Sequence, residues 1–137
     1  MATINDLASD GHFLRCEDWT VGRDSELEFA TLSAGGFLNK SDIRVDLTNR
    51  GAQMRAGIAS NGYSSRHDDH HVEIKHSIGH TDSSLVMHAT CDDSSHSVGT
   101  GLLTICEGAD GSDAGQVHGL FGRVLVDRDV VDFVQRR

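Results

Sequence analysis

Proline is missing altogether from these 137 residues, although ordinary usage of about 5% would supply about seven. The chain must therefore turn on Gly, Asn and Asp. Basic charge is scarce and lopsided, with 10 Arg and 2 Lys against 16 Asp and 5 Glu, and the formal net charge is −9. That balance argues against a phosphate-backbone partner, so no nucleic acid is expected. The acids are spread along the chain and read as a hydrated, salt-tolerant surface compatible with a halophilic source. Aromatics reach only 5% and form no stripe with basic residues between them, which leaves core packing as the default for Phe29, Phe37 and Phe121. No run approaches the roughly 18 apolar residues of a membrane span. The start, Met1-Ala-Thr-Ile-Asn-Asp, lacks the basic stretch and apolar core of a signal peptide, so a cytoplasmic location is expected. Cys16, Cys91 and Cys106 show no CxxC spacing, which speaks against a disulfide framework or a thiolate zinc site and suggests mostly buried thiols. No Gly-x-Ser-x-Gly elbow occurs, and Gly99-Thr100-Gly101 is too short for a phosphate loop and lacks a following Lys.

What is present reads as one all-β domain over residues 1–137. Apolar residues make up 37%, which together with 15 Gly is enough for a folded core. Gly35-Gly36, Asn49-Arg50-Gly51, Asn61-Gly62, Asp92-Asp93, Glu107-Gly108 and Asp110-Gly111 punctuate the chain. Between them apolar residues alternate with period two at Leu27/Phe29, Ile43/Val45/Leu47, Met54/Ala56/Ile58, Val72/Ile74, Leu85/Met87/Ala89 and Leu103/Ile105, one face of each strand. These faces should point into one core. Strands at such spacing fit a sandwich, a barrel or a solenoid. Gly51-Ala52 and Gly108-Ala109, 57 residues apart, would suit three coils of about nineteen. At the C-terminus, Asp127 or Asp129 could cap a short helix through Val130, Val131 and Val134, ended by Arg136-Arg137. The apolar residues Val124-Leu125-Val126, Val130, Val131 and Phe133 are the expected cap or seam of a dimer, since a solenoid must cover its open ends.

Histidine is the chemical feature. Seven of the nine lie between residues 67 and 96, five of them in His67-Asp-Asp-His-His-Val-Glu-Ile-Lys-His-Ser-Ile-Gly-His80. If Val72 and Ile74 point inward, His76 shares their face, while His67, Asp69 and His71 share the other at intervals of about 6.5 to 7 Å. Two imidazoles and a carboxylate on one face suit zinc or iron, and make His67, Asp69 and His71 the candidate metal ligands. The alternative at this spacing is that residues 67 to 71 are solvated strand and turn positions and His76 is hydrogen-bonded near the core.

The run Leu32-Ser-Ala-Gly-Gly-Phe-Leu-Asn-Lys-Ser-Asp-Ile-Arg-Val-Asp-Leu, followed by Gly51-Ala52, Gly57, Gly62, His67-x-Asp-x-His71, His76, His80 and Ser83, resembles the core of the SufB/SufD family. The resemblance continues through Asp92-Asp93, Gly101, Gly108-Ala109, Asp113 and Gln116, covering about residues 25 to 121. It implies a right-handed, single-stranded parallel β-helix. It further implies a non-enzymatic scaffold role in iron–sulfur cluster assembly, with a SufC-like ATPase and a SufB-like subunit as partners. Where SufB members carry a cluster-linked Cys after a Gln, this chain reads Gln116-Val117-His118-Gly119, closer to SufD. The Cys-x-His-Gly-Ala-Thr segment and the C-terminal helical region of SufD members do not follow before Arg137, and family prolines near Gly79 and Glu107 are replaced. The resemblance thus implies a truncated or divergent member. A histidine-rich metal-binding protein or metal-dependent enzyme is the rival reading, and a structural relic without assembly activity is the third.

Overall fold

The computed structural model describes residues 1–122 and 134–136. Ten strands are described: β1 (Ala2–Asn5), β2 (His12–Val21), β3 (Glu26–Ser33), β4 (Leu38–Leu47), β5 (Gln53–Gly62), β6 (His67–His76), β7 (Asp82–Cys91), β8 (His96–Ile105), β9 (Asp113–Gly122) and β10 (Val134–Arg136). Odd strands form one sheet in the order β1-β3-β5-β7-β9 and even strands a second in the order β10-β8-β6-β4-β2. Every pairing is parallel, so the chain winds as a flattened β-solenoid of about four turns.

Leu38, His67 and His96 stand in register, as do Gln53 and Asp82, so a coil takes 29 residues. The expected coil of nineteen is therefore corrected. Gly51 and Gly108 lie two coils apart, and Asp82 pairs with Asp113 at a separation of 31 because Glu107-Gly108 lengthen that turn.

The alternation works as read. Ile43, Val45, Leu47, Met54, Ile58, Val72, Ile74, Leu85 and Met87 are buried between the sheets, with Val21, Phe29, Ala52 and Ala56. Each large aliphatic side chain withdrawn there contributes about 1.5–3 kcal/mol. Three expectations need correction. Ile105 aligns with Leu47 and His76 yet is 42% exposed, because it lies on the last full described rung of its sheet and only the three-residue strand β10 follows. Phe37 sits at a corner, 44% exposed, with its ring beside that of His12. Cys16 is exposed, on the outward parity of β2, and Cys91 and Cys106 are half-buried at coil corners.

Val134–Arg136 pair in parallel with Leu102–Thr104 and are not the end of a helix. The open edge of β8 offers their backbone ladder partners, and valine suits a strand. The remainder of the expected helix, and the seam residues from Val124 to Phe133, lie outside the described residues.

The turns account for the missing proline. Asp24, Gly51, His80 and Gly111 occupy one corner position in successive coils, all at positive φ. The N–H of Asp24 donates to the carbonyl of Arg50, that of Gly51 to His80, and that of His80 to Asp110. Proline has no N–H and a fixed negative φ, so it fits neither requirement. A Cβ on Gly51 would collide with the Asp24 carboxylate, and one on Gly111 would press on the His80 ring at 3.0 Å.

Candidate functional site

The outer face of β6 carries the metal-ligand candidates. His67, Asp69 and His71 do project together from that face, half-buried among neighbouring strands. Lys40 Nζ donates to Asp69 Oδ2 at 2.9 Å, and the His67 ring stacks on His96 with centroids 5.0 Å apart. His71 stands in register between Asp42 and Thr100. Farther along, Arg44 faces Glu73 and Lys75 faces Asp46, each at 3.8 Å. Opposite charges thus face each other across β4 and β6, which is what a solvated sheet face needs. Among the described residues, no group of three or more His, Cys, Asp or Glu is placed to hold a metal ion.

The unusual chemistry is inside. Where a core strand would carry aliphatics, β6 places Asp68 and His70 inward, and Arg66 precedes it on the same parity. Arg66 is 2% exposed and Asp68 is fully buried; Nη2 reaches Asp68 Oδ1 at 2.8 Å. Ser33 Oγ accepts from the same guanidinium and donates to Asp68 Oδ1, while Arg66 Nη1 donates to the Asn61 carbonyl. One rung away, Asn5 donates to Asn39 Oδ1, and Asn39 Nδ2 donates to the Gly35 carbonyl. Ser60 and Ser97 hydroxyls meet at 3.1 Å. Paired charges and bonded amides are the form in which such groups survive burial.

Two histidines share this interior. Ser41 Oγ lies 2.7 Å from His70 Nδ1. His76, fully buried, sits between Thr81 Oγ1 at 2.7 Å on Nδ1 and Ser83 Oγ at 2.8 Å on Nε2. Burial is the main cause holding both below the ordinary histidine value, opposed by Asp68 at His70 and by Asp82 at His76. Burial lowers His118 likewise.

The Gln116-Val117-His118 segment lies on β9 with Val117 outward and 57% exposed, and Gln116 and His118 inward. They fill the space over Gly101, where an added Cβ would sit 2.5 Å from Gln116 Oε1 and 3.1 Å from His118 Nε2.

Arg66, Asp68 and His70 were not singled out from sequence, although alternation outward from Val72 puts all three inside. The signal was present in the parity; it is masked because charged residues are ordinarily read as solvent-facing.

A family model described as SUF system FeS cluster assembly, SufBD core domain, matches residues 1–120. The match takes in β1 and β2, so the first coil belongs to the same unit as the region resembling the family from residue 25. No curated protein and no solved structure matches the chain.

Proposed function

The chain belongs to the SufBD core family of the SUF iron–sulfur assembly system, and we propose that it serves there as a non-enzymatic, SufD-like scaffold subunit. The observation that carries this reading is Val117. An aliphatic side chain projects from the outer face of β9 at the position where the SufB pattern has its cluster-linked cysteine. The three thiols of the chain are spread over β2, β7 and the corner after β8 rather than grouped. A cluster under assembly is cargo for such a subunit, and its thiolates would come from a SufB-like partner. This chain contributes a stiff parallel ladder and a charged outer face, with a SufC-like ATPase completing the complex.

The experiment is affinity purification of the tagged chain from its native source, with reconstitution by ferrous iron and sulfide under anaerobic conditions. The reading expects an ATPase and a cysteine-bearing SufB-like subunit to co-purify, and a charge-transfer band near 400 nm only when that subunit is present. A stoichiometric cluster on the isolated chain would overturn the SufD-like assignment. Capture of neither subunit would overturn the scaffold role and leave a relic of the fold.

A further inference from the structure

The stacking of the interior is interrupted at one place. In the row where β4 carries Ser41 and β6 carries His70, β8 carries Gly99. In the next row Ile43 and Val72 are followed by Gly101. Gln116 and His118 fill the place left at Gly101, but beside Gly99 lies a cavity of about 40 Å³, lined among others by His70, Met87, Ser97 and His118. A Cβ built on Gly99 would stand 3.4 Å from Met87 Sδ and 3.9 Å from His118 Nδ1. The thioether and that imidazole therefore border the space beside the glycine.

His70 is only 4% exposed, and its Nε2 meets no hydrogen-bond partner among the described residues. Its other nitrogen is held by Ser41 Oγ at 2.7 Å. A buried polar atom left unpaired costs about 1–3 kcal/mol, so an arrangement that fixes one nitrogen and bares the other requires an explanation.

We propose that this cavity is a binding site for one soft monovalent cation, cuprous copper, held by His70 Nε2 and Met87 Sδ with His118 on its third side. Thioether is a soft donor of the kind that selects Cu(I), and imidazole is a donor that copper accepts as well. If Nδ1–H donates to Ser41, Nε2 keeps its lone pair free, the tautomer a metal-bound histidine adopts, and the serine acts as its orienting partner. Charge points the same way. The inward carboxylate of the neighbouring row, Asp68, is taken up by Arg66, so among the described residues no anionic ligand lines the space to offset a divalent ion. Desolvating a single positive charge is far less costly than desolvating two. The volume exceeds the roughly 10–15 Å³ that one water-sized guest needs, so it has room for a single ion.

The test uses silver(I), the redox-inert analogue of cuprous copper, and NMR of the chain labelled with ¹³C at the methionine ε-methyls. The sequence has three methionines, Met1, Met54 and Met87. Silver is added anaerobically past the three equivalents that the thiols can take. The Met87 methyl should move with the next equivalent while that of Met54, fully buried elsewhere in the core, stays put and reports an intact fold. Gly99→Ala adds only an ordinary van der Waals contact to Met87 and fills the space; it should abolish the shift. His70→Ala should weaken binding at least tenfold. A Met87 methyl that does not respond in the wild type overturns the proposal. So does a response that Gly99→Ala leaves unchanged.

Discussion

Replacing Arg66 by Met isolates the charge balance of the interior. The guanidinium is 2% exposed and gives three bonds: to Asp68 Oδ1 at 2.8 Å, to Ser33 Oγ at 2.8 Å and to the Asn61 carbonyl at 3.1 Å. Arg66→Met keeps much of the side-chain volume but leaves the fully buried Asp68 carboxylate with Ser33 as its only remaining bonded neighbour on this network. Removing one partner of a buried ion pair costs about 3–5 kcal/mol, because the other charge stays desolvated. For a domain of this length, with about 3–4 °C lost per kcal/mol, the melting temperature should fall by about 10–20 °C. The pair itself is a different quantity. Its attraction is offset by the desolvation of both ions, so the double variant Arg66→Met/Asp68→Leu should unfold within about 1 kcal/mol of the wild type. Urea unfolding followed by circular dichroism gives each free energy, provided m is unchanged. The cycle should return a coupling of at least about 2 kcal/mol. A single variant that loses less than about 1 kcal/mol, or a double variant as unstable as the two singles added together, would refute the claim that these charges are desolvated partners.

Acid should weaken the fold in the window that opens below pH 6.5. His70, His76 and His118 are all held below the ordinary 6.5 by burial, so in that window the unfolded chain binds protons that the folded chain refuses. Their stabilisation is complete above pH 6.5 and drains away as pH falls toward the lowered folded values; urea midpoints across the range measure it, and His76→Gln should flatten the slope. The window is distinct from that of Glu17, whose acidity is enhanced chiefly by its hydrogen bond from Arg15 and whose contribution is present above its ordinary 4.5 and lost below it. Gly51→Ala forces a Cβ into the positive-φ corner against Asp24 and should cost about 1–2 kcal/mol, seen as a lower urea midpoint, whereas Ser64→Gly, at φ 59°, should raise the midpoint slightly. Zinc titrated onto the wild type and His71→Ala should show no binding tighter than about 100 μM that the substitution removes, since Lys40 must first release Asp69. A tight wild-type isotherm lost in the variant would instead establish the outer-face metal site.

Period-two alternation was sufficient for the strands because each coil has one wet face and one dry face, and Ile43/Val45/Leu47 and Val72/Ile74 report that contrast directly. Coil length was not legible in the same way. Gly51 and Gly108 look equivalent in sequence, but the corner column is Asp24, Gly51, His80 and Gly111, a set of unlike residues joined only by positive φ. Glycine spares the strain there, while aspartate and histidine tolerate it and lay their side chains over the neighbouring glycine. No residue type repeats from one coil to the next, so no spacing reveals the 29-residue turn.

The interior site was hidden for a related reason. Once Val72 fixes the parity of β6, the same rule that sends His67, Asp69 and His71 outward sends Asp68 and His70 inward, and Arg66 with them. Sequence patterning assigns each residue by its own polarity and so discounts a buried carboxylate, whereas the fold assigns it by its partner. Asp68 is acceptable inside only because Arg66 and Ser33 arrive from two other stretches of chain, Arg66 from the corner before β6 and Ser33 from the end of β3 a coil earlier. A solenoid makes such meetings systematic, since residues one coil apart are neighbours by construction. Polar residues on inward parity are therefore best sought in pairs offset by one coil or facing across the sheets. On that criterion the Asn39–Asp68–Ser97 row and the Ser41–His70–Gly99 row stand out, and the second of them ends in a glycine where a polar partner would be needed.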